Sequence, residues 1–285
     1  DKDATIYALR SRKDAPKKAG IIDIYSVDEI DFKVDFALIS NSTHLHFEWI
    51  ENLTELKCPM IIEKPAIHTL LNSDSLVDNL KISNTLSYVA CNLRFHPCVQ
   101  FIKSQVTKEQ FGRINEVNVY CGSYLPDWRP NKDFRTMYSA NIEMGGGVHL
   151  DLFHELDYTC WIFGIPPKHS STIRSTSSLA ISASDYASYV FEYPEFTANL
   201  TLNYYRRKPK REIEIVSQKG TYTVDLINNK VVDDNGEILF SSPSFNIMDT
   251  YVDQMAYFVD LLNSGSAGMN DLAESVEILK ICLKE

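Results

Sequence analysis

From Thr5 to about Ala90, short apolar runs alternate with amphipathic stretches. A parallel α/β sheet produces this pattern when helices cover both of its faces. Strands are expected at Thr5–Leu9, Val34–Ile39, Met60–Ile62 and Leu86–Ala90. Between them, Leu45, Trp49 and Leu53 recur at i, i+4 spacing, and Leu76, Val77 and Leu80 mark the apolar face of the next helix. This is half or more of a doubly wound sheet. After Phe95, Pro97 opens a helix through Val106, and a strand is expected at Ile114–Cys121. The irregular stretch 122–147 holds Trp128-Arg129-Pro130, Asp133, Arg135 and Tyr138, more aromatic and charged material than a connector needs. Val148–Phe163 reads as a helix stopped by Gly164 and Pro166-Pro167. From Ser170 to Phe240 the period switches to two. Strands are expected near Ser170–Ser177, Tyr186–Tyr193, Ala198–Tyr205, Glu212–Val216, Thr221–Asp225, Lys230–Val232 and Glu237–Phe240, punctuated by Tyr193-Pro194, Lys219-Gly220 and Asn235-Gly236. That is an open, largely antiparallel sheet, followed by two helices at Met248–Leu262 and Asp271–Leu283.

Composition sharpens this picture. With 285 residues and 44% hydrophobic content, the chain suffices for two modest domains. A formal charge of −10 opposes the phosphate neutralisation that dominates nucleic-acid binding, so no nucleic-acid partner is expected. The densest basic stretch, Arg206-Arg207-Lys208-Pro209-Lys210-Arg211, lies between two strand-like runs. It reads equally as a holder for one anionic ligand and as a solvated hairpin turn. Six cysteines are scattered without a C-x-x-C pair, and four of them fall in apolar patterns where thiols pack as small hydrophobes. A reducing cytoplasm is the expected home. No basic-then-apolar leader and no run of eighteen apolar residues is seen, so no membrane association is expected. The sequence opens on Asp1-Lys2-Asp3 and enters a strand almost at once, and a start partway through a domain is the expectation.

Three constellations carry candidate chemistry. Glu63-Lys64-Pro65 follows the Met60–Ile62 strand directly, and ligands of open α/β sheets bind beyond the carboxyl ends of strands. An ammonium there can bond a hydroxyl and stabilise developing negative charge. Pro65 biases Lys64 toward an extended backbone. The second is Gly145-Gly146-Gly147 leading into Val148-His149-Leu150-Asp151-Leu152-Phe153-His154-Glu155. The glycines permit close backbone approach, and Asp151 and His154 at i, i+3 share a helix face. An imidazole suits removal of an alcohol proton, and a neighbouring carboxylate can set its tautomer. A histidine that merely caps or packs is the competing reading. A metal site is not expected, because His149 and Asp151 point apart on a helix. The third is Ser40-Asn41-Ser42-Thr43-His44-Leu45-His46, a small polar helix entry with Ser42 or Thr43 as N-cap. A nucleotide-lining turn and ordinary capping both fit it.

These motifs, with Asn92-Leu93-Arg94-Phe95-His96-Pro97 and the Gly220 turn, resemble in order and spacing the Gfo/Idh/MocA family of oxidoreductases over nearly all of the chain. The resemblance implies a Rossmann-like domain over 1–95 and a substrate-binding and oligomerisation α+β domain over 96–285. It implies hydride exchange between NAD or NADP and a hydroxyl-bearing carbon of a sugar, nucleotide sugar or polyol. Lys64 then falls on the catalytic lysine, His154 on the proton-transfer histidine and Asp151 on the accompanying aspartate. Cofactor contacts fall to Arg10, Ser11, Arg12, Ser40, Asn41, Thr43, His46, Glu63, Lys64 and Pro65. Substrate contacts fall to Arg94, Trp128, Arg129, Tyr138 and His154. Asp127-Trp128-Arg129-Pro130 resembles the substrate loop of a subgroup linked to surface-polysaccharide and acidic-sugar biosynthesis. A homodimer or homotetramer through the C-terminal sheet is implied.

Two departures qualify the resemblance. No Gly-x-Gly-x-x-Gly turn precedes the Thr5–Leu9 strand, and the gap from aspartate to histidine is three residues where many relatives have four. The first is expected to reflect a missing preceding segment, the other reading being loss of dinucleotide binding. Arg10-Ser11-Arg12 stands where an acid would bind the ribose hydroxyls of NAD, which slightly favours NADP. Two other functions remain open: a catalytically silent sugar binder, and a scaffold subunit contributing its sheet face.

Overall fold

The structure is a computed structural model that describes residues 4–14, 16–266 and 268–284. The opening Asp1-Lys2-Asp3, on which a mid-domain start was expected, lies outside the described residues. The chain divides into two compact units, 1–36 and 37–285.

The first unit pairs β1 (Ile6–Leu9) in parallel with β2 (Ile21–Ile24), in register Ile6↔Ile21. The sequence pattern missed β2, a four-residue Ile-Ile-Asp-Ile run too short to establish a period. A capping box follows, Ser26 accepting from the Asp28 amide while Glu29 accepts from the Ser26 amide.

The second unit opens with three parallel strands, β3 (Ala37–Ile39), β4 (Met60–Ile62) and β5 (Ser87–Val89), in that spatial order. Every residue of β4 and β5 is buried, as sandwiching between helices requires. Helix α1 (His46–Glu55) connects β3 to β4, and α2 (Ser73–Ser83) connects β4 to β5. Leu76, Val77 and Leu80 are buried as their spacing predicts. On α1 the fully buried positions are His46, Ile50 and Thr54, while Trp49 and Leu53 of the expected stripe pack partly buried against the core and Leu45 is 39% exposed. Thr54 can face inward because its hydroxyl donates to the Ile50 carbonyl at 2.6 Å.

Helix α3 (Pro97–Thr107) leads into β6 (Ile114–Tyr124). The irregular stretch then carries four short 3-10 turns before α4 (Val148–Asp151) and α5 (Phe153–Phe163). Next come β7 (Lys168–Arg174), β8 (Tyr186–Glu192), β9 (Thr197–Asn203), β10 (Tyr205–Ser217), β11 (Gly220–Asp225), β12 (Lys230–Val232) and β13 (Ile238–Ser241). With β6 they form an eight-stranded sheet in the order β13-β12-β11-β10-β6-β9-β8-β7. All its pairs are antiparallel except β6 with β9. One face is apolar through Val117, Val119, Leu200, Leu202, Ile213 and Ile215, all buried. Each such side chain contributes about 1.5–3 kcal/mol on burial. Leu156 and Phe153 of α5 join this core. Helix α6 (Asp249–Ser264) packs on the Asn92–Phe95 turn. Helix α7 (Leu272–Leu283) ties the sheets together: the Tyr189 hydroxyl donates to the Cys282 carbonyl at 3.0 Å, and the Leu272 amide to Ser87 Oγ at 3.1 Å.

The basic stretch 206–211 does not make a hairpin turn. It lies inside β10, which extends back to Tyr205. No helix among the described residues is long and apolar enough to cross a membrane.

Candidate active site

Lys64 stands two residues beyond β4, before a cis peptide bond to Pro65. Its Nζ donates to the backbone carbonyl of Asp151 at 2.6 Å. That carbonyl is available because the expected single helix 148–163 breaks at Leu152, whose backbone (φ −97, ψ 33) leaves the α-helical track between α4 and α5. The Glu155 amide bonds Leu152 and not Asp151, so the end of α4 presents an unmatched acceptor that the ammonium fills. Asp151 and His154 therefore sit on either side of a break, not on one continuous helix face as the spacing suggested.

The Asp151 carboxylate accepts from the hydroxyl of Tyr204, a fully buried residue just ahead of β10. It does not bond His154, and the expectation that it sets the histidine tautomer is corrected: the phenol has taken that carboxylate. Tyr138 is 45% exposed at the rim of the same cluster, and burial followed by the Asp151 charge pushes its phenol up to about 12. Trp128 packs edge-on against Tyr204 at 5.3 Å and donates from Nε1 to Ser123 Oγ at 2.8 Å. Arg129 is exposed, and its charge opposes the rise at Tyr138.

His154 is half-buried, and its Nδ1 is enclosed without a hydrogen-bond partner. Burial first, then the positive charges of Lys64 and Arg211, hold its pKa well below the ordinary imidazole value. A ring held below its ordinary range stays neutral and can accept a proton, and is a weaker base for the same reason. Arg211 is itself neutralised by Glu155, Nε to Oε1 at 2.6 Å, with the carboxylate fully buried. The His149 ring lies beside Gly147, and burial, opposed by the Asp151 charge, pushes it down to about 4. Among the described residues no group of three His, Cys, Asp or Glu is placed to hold a metal ion.

Gly146 positions the rim loop. A Cβ there would lie 2.0 Å from the Tyr138 carbonyl, so only glycine lets residues 138–146 fold onto the entry to α4. The close approach serves the loop's own backbone.

The turn after β3 leaves Ser40, Asn41 and Ser42 exposed and Thr43 half-buried, and Ser42 makes no side-chain cap bond. The expected capping is absent, and these hydroxyls are free for a ligand. His46 is 1% exposed, its Nδ1 3.1 Å from the Ala66 carbonyl and its Nε2 3.2 Å from the Asn41 carbonyl. It holds this turn to the loop that presents Lys64 and is closed to a cofactor. Burial raises the Glu63 carboxyl above its ordinary range, with the Lys64 ammonium opposing.

Arg94 is placed elsewhere than its expected role requires. It is fully enclosed, bonded to Asp157 at 2.7 and 3.0 Å, to Glu274 at 2.8 Å and to Asn270 at 3.3 Å. In the first unit, Arg10 pairs with Asp23 at 2.9 Å and Arg12 with Asp14 at 2.6 Å, on either side of the exposed Ser11. Both guanidiniums are thus paired, that of Arg12 in an exposed contact. Tyr204 was not singled out from sequence, and Arg211 and Glu155 stood in separate motifs with nothing to join them; the partners are 53 and 56 residues apart, and no local spacing signals such pairs.

Residues 99–223 match the model of the GFO/IDH/MocA C-terminal domain. A curated relative, myo-inositol 2-dehydrogenase of Thermotoga maritima, is 24% identical over 171 residues, 57% of this chain and 48% of its own length. The chain thus spans about half the length of that relative. Among solved structures, an oxidoreductase from Agrobacterium radiobacter in complex with NAD+, L-tartaric acid and magnesium superposes with a TM-score of 0.77 at 19% identity, covering 92% of this chain and 80% of that one. UDP-N-acetylglucosamine 3-dehydrogenase from Acidithiobacillus ferrooxidans superposes with a TM-score of 0.74 at 20% identity, covering 93% and 81%. These likenesses establish the α/β fold with its large mixed sheet.

Proposed function

We propose, on the premise that residues 99–223 are a GFO/IDH/MocA C-terminal domain, that the protein is a nicotinamide-dependent dehydrogenase acting on a CH–OH group of a sugar, nucleotide sugar or polyol. The observation that carries this reading is a neutral, partner-free imidazole, His154, within the field of the Lys64 ammonium. A sugar binder needs no such acceptor, which favours the dehydrogenase reading over the silent one.

The residues fit a dinucleotide at two points. Ser40, Asn41 and Thr43 offer uncapped polar groups beyond β3, and Glu63-Lys64-Pro65 does so beyond β4, both at the carboxyl ends of parallel strands where such ligands lie. A bound nicotinamide supplies the hydride acceptor. Lys64 donates to the substrate hydroxyl oxygen and orients it, exchanging its bond to the Asp151 carbonyl. The proton of that hydroxyl passes to the His154 imidazole as the carbon–oxygen bond becomes a carbonyl and the C–H hydride departs. Asp151, locked by Tyr204, holds the α4 terminus that seats Lys64 and acts as a positioning residue. Trp128 supplies an apolar face for the ring, with Tyr138 and Arg129 at the rim. Arg94 is assigned to the fold and not to substrate. NAD+ stands in the complex of the Agrobacterium radiobacter relative, and with Arg10 and Arg12 paired we assign NAD in preference to NADP.

Residues 1–95 would hold the cofactor and 96–285 the substrate. The polar face of the large sheet, with Asn118, Asn199 and Thr201 half-buried, would join two copies or four. The direct test is to mix the protein with NAD+ and a panel of polyols, sugars and nucleotide sugars and follow nicotinamide absorbance. Reduction with at least one class is expected; none across the panel would remove the reading.

A further inference from the structure

We propose that Arg206, Arg207 and Lys208 form a subsite for an anionic group, carboxylate or phosphate, carried by the sugar substrate. The word substrate rests on the dehydrogenase reading above; the anion site does not.

The three cations occupy a bulge. In the pairing of β10 with β6, Tyr205 faces Tyr124 and Lys210 faces Gly122, so residues 206–209 stand opposite Ser123 alone. Extra residues in one strand push side chains out of the sheet and re-aim them, a device common beside active sites. Both ends of this bulge are fastened to the helices of the reaction centre. Tyr204, before it, bonds the Asp151 carboxylate, and Arg211, after it, bonds Glu155. Ser123, the residue it straddles, accepts from Trp128.

The charges are not spent inside the protein. Lys210 is matched by Glu212 and Arg211 by Glu155, whereas Arg206, Arg207 and Lys208 have no ion pair among the described residues. In a chain of formal charge −10, three adjacent unmatched cations run against the general balance. Arg207 lies over the Tyr124 ring at 3.7 Å and Arg206 over the Tyr120 ring at 5.0 Å. A guanidinium held over a ring face keeps N–H edges for other partners, which suits fork-like binding of a carboxylate or phosphate. Arg206 NH1 reaches the Tyr120 hydroxyl only at 3.4 Å, and its Nε is enclosed without a partner. An enclosed donor left unmet inside the protein is open to an acceptor from outside, a ligand oxygen or water.

The test is calorimetric titration, without nicotinamide, of inorganic pyrophosphate, D-glucuronate and myo-inositol into the protein at low salt. At least one anion is expected to bind about tenfold more tightly than myo-inositol, and that preference should shrink as ionic strength rises. Preference for pyrophosphate alone marks a phosphorylated sugar, and for D-glucuronate alone a sugar acid. The triple variant R206Q/R207Q/K208Q should lose the preference while its thermal melt is retained. The salt series on the unaltered protein stands even if the variant does not fold. Anions that bind no better than myo-inositol, or as well to a folded triple variant, would overturn the subsite. So would a variant that changes only the oligomeric state, because the patch would then be an interface. Bulge-dependent anion binding without nicotinamide reduction would sink the dehydrogenase reading alone. Lys64-dependent turnover with no effect of the bulge would sink the subsite alone.

Discussion

At the scale of single residues, burial decides what each ionisable group does. Arg94 and Lys64 both follow strands of the small sheet, and from sequence both read as ligand-facing cations. The structure separates them by their partners. Arg94 meets Asp157 with both groups closed to water, so Arg94→Ala should destabilise the fold by about 3–5 kcal/mol, because it strands a buried carboxylate. Urea unfolding measures this; a change confined to substrate KM would restore Arg94 to the site. The Lys64 ammonium donates to a backbone carbonyl, a bond a substrate oxygen can replace. The buried histidines set an acid limit on stability. His96 and His149 are each pushed down to about 4 by burial, from 6.5. Below 6.5 the unfolded chain takes up protons that the folded chain refuses, so stability is full above 6.5 and falls toward pH 4. The loss should approach about 3 kcal/mol per histidine. Unfolding midpoints across that window check it; a flat profile would show these imidazoles to be accessible.

At the scale of elements, the hydrophobic pattern located nearly every helix and strand, because each buries one face and the periods of 3.6 and 2 record that directly. What it could not show were departures that depend on distant partners. The break at Leu152 falls within an unbroken apolar helix pattern, and the carbonyl it frees is understood only once Lys64 is seen beside it. The extension of β10 through 206–210 was hidden because charged residues with a central proline do not read as strand; a bulge against β6 accommodates them. The residues of the candidate site were therefore legible as types in order, while their bonds were not: Asp151 answers to Tyr204, and His154 Nδ1 has no hydrogen-bond partner among the described residues. The tight fold of residues 138–146 gives this scale its prediction. Gly146→Ala must push the loop off the Tyr138 carbonyl, displacing Tyr138 by an ångström or so and lowering kcat/KM by about a hundredfold. Steady-state kinetics would show it, and wild-type kinetics would mean the loop plays no part in binding.

At the scale of the whole molecule, the apolar face of the large sheet is filled by helices, and its other face remains half-buried and polar. If copies meet there, Thr201→Arg should shift the sedimenting species to a smaller one, and an unchanged profile would place the interface elsewhere. The central claim joins both regions of the second unit: a lysine from the small sheet and a histidine from the helix over the large sheet share one reaction. The most direct measurement is nicotinamide reduction by the protein and by its Lys64→Met and His154→Asn variants, on whichever alcohol the wild type oxidises. Each variant should keep its fold by circular dichroism and lose turnover by at least ~100-fold. Turnover at the wild-type rate in either folded variant would contradict the account.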